Sequence, residues 1–123
     1  MWAGRFFALF LVAALALSAV ATVQADRKPT DKERKAVAAV IDLPAKCAHV
    51  RISTVTEKPK WASVSFRPHS PEACEPFASD GVTVAKKRSG RWRFVTAGSS
   101  FECVDLYKEV PVSVAQDLSI DCR

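Results

Sequence analysis

"DGVTVAKKRSGRWRFVTAGSS", residues 80–100, decides the fold, because the turn inside it sets which side chains share a face. A two-residue turn at Ser89-Gly90 would set Arg88 opposite Arg91 and Lys86 opposite Arg93, and would point Val84 and Phe94 to opposite faces. A three-residue turn, Arg88-Ser89-Gly90 with Gly90 left-handed, repairs the apolar pattern. Val84 then pairs with Phe94 and Lys86 with Trp92, so Val82, Val84, Trp92 and Phe94 lie together and the Lys86 stem covers the indole. The spacing therefore predicts a hairpin with a three-residue turn. Its other face carries Lys87 opposite Arg91, with Arg93 nearby and Arg88 in the turn.

Before the hairpin, "HVRISTVT" (49–56) alternates with Val50 and Ile52 on one side, and "WASVSFR" (61–67) places Ala62, Val64 and Phe66 inward. "EKPK" with Pro59 is the turn between them, and Trp61 falls on the polar side, where packing against a sheet edge is expected. Residues 68–80 hold three prolines, Cys74 and no periodicity, the pattern of a loop. Upstream, Thr30 and Glu33 form a T-x-x-E capping box that opens a helix with an apolar stripe of Ala36, Val37, Val40 and Ile41, ending before Pro44. Downstream, Pro111 opens a short helix with Val114 and Leu118 one turn apart. The expected class is α+β: an N-terminal helix packed on a four-stranded antiparallel meander, with a short C-terminal helix and two disulfides.

The first 25 residues read as an export signal. Arg5 is the charged start, Phe6 to Leu17 the apolar run, and "VQA" ending at Ala25 the processing site. "AVA" ending at Ala21 is an alternative cut, and a retained anchor the rival reading. Residues 26–123 then make one small secreted domain. Its four cysteines, an even number in an exported chain, are expected as disulfides, with Cys103–Cys122 and Cys47–Cys74 preferred among three pairings. Cys47, His49, His69 and Cys74 could instead be written as a zinc set. The "CAH" spacing points its two residues to opposite faces of an extended segment and no C-x-x-C is present, so no metal or other cofactor is expected.

Without Arg5 the chain has 17 cations and 13 acids, a net +4 that is mild for a nucleic-acid binder. Distribution carries more than the sum. In "DRKPTDKERK" acids interleave with bases, whereas the hairpin has none. Lys87, Arg88, Arg91 and Arg93 are thus the candidate binding residues, for an anionic cell-envelope polymer or an acidic protein. A solvated positive face that deters edge-to-edge aggregation is the plainer alternative.

"GRWRFVTAGSSFEC" followed by "VPVSVAQDL" and a last Cys resembles the C-terminal part of small exported proteins of actinobacterial type. The resemblance covers about a third of the chain and implies a secreted bacterial domain with disulfides; it brings no catalytic residues. The absence of Asn fits such a coding bias and excludes N-glycosylation. No G-x-S-x-G elbow, H-E-x-x-H pair, phosphate-cradling glycine loop or C-x-x-C pair occurs. Glu72 and Glu75 are the only closely spaced glutamates, and nothing sets them across a cleft. The chain is therefore read as non-catalytic, with a small extracellular hydrolase of unrecognised site as the alternative.

Overall fold

Ordered structure begins ahead of the first helix, where Arg27 exchanges backbone hydrogen bonds with Ile52. A computed structural model describes residues 26–123; the export-signal reading of residues 1–25 lies outside them. Helix α1 spans Asp31–Ala39, and its capping box forms as the sequence implies. The Glu33 N–H donates to the Thr30 hydroxyl at 3.1 Å and the Thr30 N–H donates to Glu33 Oε1 at 2.9 Å. Arg27 adds a two-pronged contact, Nη1 to Oε1 at 2.7 Å and Nη2 to Oε2 at 2.8 Å, and Lys60 Nζ stands 3.7 Å away. The Arg27 hydrogen bonds chiefly hold the Glu33 carboxyl down at about 2; burial opposes this, while the Thr30 N–H and the charges of Arg27 and Lys60 assist. Val37 and Ala38 are the buried residues of α1, and Ile41 packs partly against them, whereas Ala36 faces solvent. The expected stripe is therefore rotated toward Ala38. After the helix the chain turns through Asp42, whose φ of 56° breaks the helical path before Pro44.

Four strands follow in a simple antiparallel meander: β1 (Ala48–Ile52), β2 (Trp61–Phe66), β3 (Val82–Arg88) and β4 (Arg91–Gly98). β1 stops at Ile52, so residues 53–56 belong to the connection and not to the strand. Directly opposed residues share a face, so Val50 with Val64 and Ile52 with Ala62 make the α1 side of the sheet. There they meet Val37, Ala38, Leu43 and the two cysteines Cys47 and Cys74 in one buried cluster. The 68–80 segment contains a short 3-10 stretch, Glu72–Phe77, that presents Cys74 to Cys47.

The other side of the sheet is buried too. α2 (Cys103–Glu109) and α3 (Val112–Asp117) return over it, and Leu106, Val110, Val114 and Leu118 pack with Trp61 and Val84. Trp61 is therefore core, 4 % exposed, and not edge packing. Ser53 and Ser63 are buried on that side; Ser53 Oγ donates to Asp117 Oδ2 at 2.8 Å, and Arg51 Nη1 reaches the Leu118 carbonyl at 3.3 Å. The sequence expected a helix after Pro111, which is α3, but α2 adds a further turn of apolar surface.

A second buried face explains the hairpin register, which differs from the expected one. The turn is the two-residue Ser89-Gly90, with φ of 51° and 78°, and it pairs Arg88 with Arg91, Lys87 with Trp92, Lys86 with Arg93 and Ala85 with Phe94. Gly90 is left-handed as expected, but Ser89 is as well, which is the mirror-image turn that suits the twist of two-residue hairpins. Val84 and Phe94 therefore point to opposite faces: Val84 is buried beneath the C-terminal helices, whereas Phe94, beyond the reach of α1, is left largely exposed and is not part of an apolar face shared with Val84. A bulge then corrects the phase: Val84 opposes Thr96 while Ala85 opposes Phe94, so Val95 is the extra residue and joins the C-terminal cluster.

Disulfides join Cys47 to Cys74 and Cys103 to Cys122, the preferred pairing, with Cα atoms 5.4 and 5.0 Å apart. Closing loops of this length restricts the unfolded chain enough to stabilise the fold by about 3 kcal/mol each on the loop-entropy account. Cys47–Cys74 ties the 3-10 stretch to the residue before β1, and Cys103–Cys122 ties the end of the chain to the start of α2. They suit an oxidising, extracytoplasmic setting. Among the described residues no helix is long and apolar enough to cross a membrane.

Candidate functional site

The β3–β4 hairpin reaches past the rest of the meander, and its residues from Val82 to Gly98 include no acid. Strand alternation divides its five cations in a way the sequence reading did not foresee. Lys86, Arg88, Arg91 and Arg93 share the face that continues the C-terminal helical side, because Lys86 opposes Arg93 and Arg88 opposes Arg91. Lys87 opposes Trp92 and lies on the other face. Of the four candidate residues, the structure therefore brings Arg88, Arg91 and Arg93 together, sets Lys87 apart, and adds Lys86. The missed member follows from the missed register: a one-residue change in loop length transfers a strand's side chains to the opposite face.

Lys86 is tied down from below. Its Nζ lies 5.0 Å from the centroid of the Trp61 ring, the residue directly opposite it on β2. The sequence expected its stem on Trp92 instead. Arg88, Arg91 and Arg93 are exposed, and among the described residues no carboxylate comes within ion-pair distance of them. Two like-charge pairs thus face each other across the strands, an arrangement that costs about 0.2–1 kcal/mol per pair. The opposite face of the same hairpin is aromatic. Trp92 is half-buried, and Phe94 stands 57 % exposed where α1, lying over β1 and β2, does not reach.

The remaining sequence candidates have structural duties. All four cysteines are in disulfides, so the zinc alternative loses both of its sulfur ligands. Among the described residues no group of three or more His, Cys, Asp or Glu side chains is placed to hold a metal ion. Glu72 and Glu75 sit on the exposed 3-10 stretch around Cys74. The residues of "GSS" at 98–100 form the exit from β4.

In comparison with known proteins, the chain matches no family model, no curated protein and no solved structure.

Proposed function

We propose that this chain is an exported, non-catalytic binding module of a bacterial cell, which holds an anionic envelope polymer or the acidic surface of another protein against its β3–β4 hairpin. The leader read in residues 1–25 supports export, and the two disulfides suit the compartment it leads to. The observation that carries the reading is the cation face of Arg88, Arg91 and Arg93, which has no carboxylate partner among the described residues and stands in cross-strand repulsion. An incoming row of anions would replace that repulsion with charge-assisted hydrogen bonds from three guanidinium forks. The tight turn fixes the backbone that carries the three arginines and the Trp61–Lys86 contact holds the neighbouring lysine, so the ordering that remains on binding is that of the exposed guanidinium side chains. Lys87 and Trp92, on the other face, would contribute reach and not the main contact.

The test is retention on immobilised polyphosphate and on immobilised poly-glutamate as salt is raised. Replacing Arg88, Arg91 and Arg93 by Glu should abolish retention at moderate salt. A charge-matched control, with exposed Lys32, Lys35 and Lys58 replaced by Glu, should lose much less. Equal loss in the two triple variants would reduce the hairpin to one part of a diffuse positive charge and end the proposal.

A further inference from the structure

At the opposite end of the sheet from the Ser89-Gly90 turn, a cavity of about 240 Å³ opens on the outer edge of β1. Its walls come from three separate parts of the chain: Lys28 and Arg34 from the N-terminal segment and α1, His49 and Val50 from β1, and Arg67 from the residue after β2. The Arg67 N–H donates to the Cys47 carbonyl and the Ser53 N–H to the Trp61 carbonyl. That ladder parity directs the N–H and C=O of Ala48, Val50 and Ile52 away from β2. Ile52 exchanges both of its bonds with Arg27, at 2.8 and 3.0 Å, and the Ala48 N–H closes the preceding 3-10 turn on Ala45. The Val50 N–H is left as an edge donor facing the cavity.

We propose that this edge pocket is a site for a compact phosphate-class oxyanion, either free phosphate or a phosphomonoester, independent of the hairpin. The charges are not consumed by the fold. Arg34 has only a 3.5 Å contact to fully exposed Asp31, a kind of pair that contributes little. Arg67 uses one N–H on the Lys46 carbonyl at 3.3 Å, which leaves other donors of its fork available. Asp26, the acid that acts on His49, is engaged by Arg51 Nε at 2.6 Å. The pKa of His49, whose side chain is only partly shielded from water, is lowered chiefly by desolvation and then by Arg51; Asp26 opposes this, and Arg34 and Arg67 add the smallest contributions in the lowering direction.

The occupant must be small, because Arg27 fills the edge at Ile52 and only Val50 remains for a strand to pair with. Donors converging from three chain segments suit a tetrahedral anion with several acceptor oxygens better than a planar carboxylate with two. No neighbouring motif announces the site, since Lys28, Arg34, His49 and Arg67 are scattered over forty positions.

Titration of the purified, 15N-labelled protein with inorganic phosphate, glycerol 3-phosphate and acetate at fixed ionic strength tests this. Saturable shifts of the Val50 amide and the His49 ring are expected with both phosphates, together with a rise in the His49 titration midpoint. Tighter binding of glycerol 3-phosphate would identify the monoester as ligand, and tighter binding of phosphate the free ion. Lys28→Gln, at an exposed position, and Arg67→Gln should each weaken binding about tenfold, the loss expected for one charged hydrogen bond. The proposal is overturned if acetate binds as well as phosphate, if Lys28→Gln changes nothing, or if the shifts gather at residues 88–93 instead.

Discussion

Around Glu33, the cations Arg27 and Lys60 converge on a single carboxylate that also caps a helix. At the hairpin, five cations occupy two short strands that contain no acid at all. The side chains are of the same kinds in both places. What differs is sequence neighbourhood: in residues 26–35 acids and bases alternate closely enough to pair, and across the Ser89-Gly90 turn they do not. The first arrangement makes charge a structural tie; the second leaves it for solvent or a partner. If this contrast is right, changes at the first corner should act on stability, and changes at the second on binding.

The largest effect should come from the residue that anchors the hairpin by packing. Trp61 is buried among Leu106, Val114 and Leu118 and lies under Lys86, so Trp61→Ala should destabilise the protein by about 3–5 kcal/mol in chemical unfolding. A loss below 1 kcal/mol would mean that the C-terminal cover does not bear on the sheet as described.

Next comes the paired corner. Glu33→Gln removes the partner of Arg27 and weakens the cap, and should cost about 2 kcal/mol at neutral pH. The same carboxylate sets an acid limit. Its folded pKa, about 2, lies below the ordinary 4.5, so its contribution is complete above 4.5 and is lost as pH falls toward 2. The difference in stability between wild type and Glu33→Gln should therefore shrink steadily across that window. A difference that stays constant from pH 5 to pH 2 would show that the ionised carboxylate is not what stabilises the corner.

How far these two regions could be read from sequence follows from how local their causes are. The capping box is a four-residue pattern whose chemistry is complete within itself, and Thr30 and Glu33 form it as read. The left-handed Gly90, the successive strands and the presence of two disulfides are legible for similar reasons, since each rests on a local pattern or on a count of cysteines, whereas the count alone leaves three pairings open. The hairpin register is not local. The three-residue turn follows only if the hairpin has one apolar face, and it does not, because α2 and α3, which begin at Cys103, cover the other. Leu106 and Val110, four apart, were the available sign of α2, and with it Trp61 would have been placed in a core. The bulge at Val95 had no comparable sign. The edge pocket had none either, since only the folded sheet brings Lys28 beside Arg67.

The smallest predicted effect is the most discriminating, because its two readouts move in opposite directions. Arg88 and Arg91 face each other directly, so Arg88→Glu converts a like-charge pair into an opposite-charge pair. Stability should rise by about 0.5 kcal/mol, within the range of cross-strand pairs, and the gain should fade as salt is added. Retention on polyphosphate should fall at the same time, since one of three exposed guanidinium groups is gone and its neighbour is occupied by the new carboxylate. At the Glu33 corner no such divergence is possible, because there the charges already hold each other and any replacement loses stability. A variant that gained stability and kept its full retention would make the hairpin cations a solubility device; one that lost both would mean that Arg88 supports the turn itself. Only the split, a firmer fold with a weaker grip, fits a surface whose charges are kept for something outside the chain.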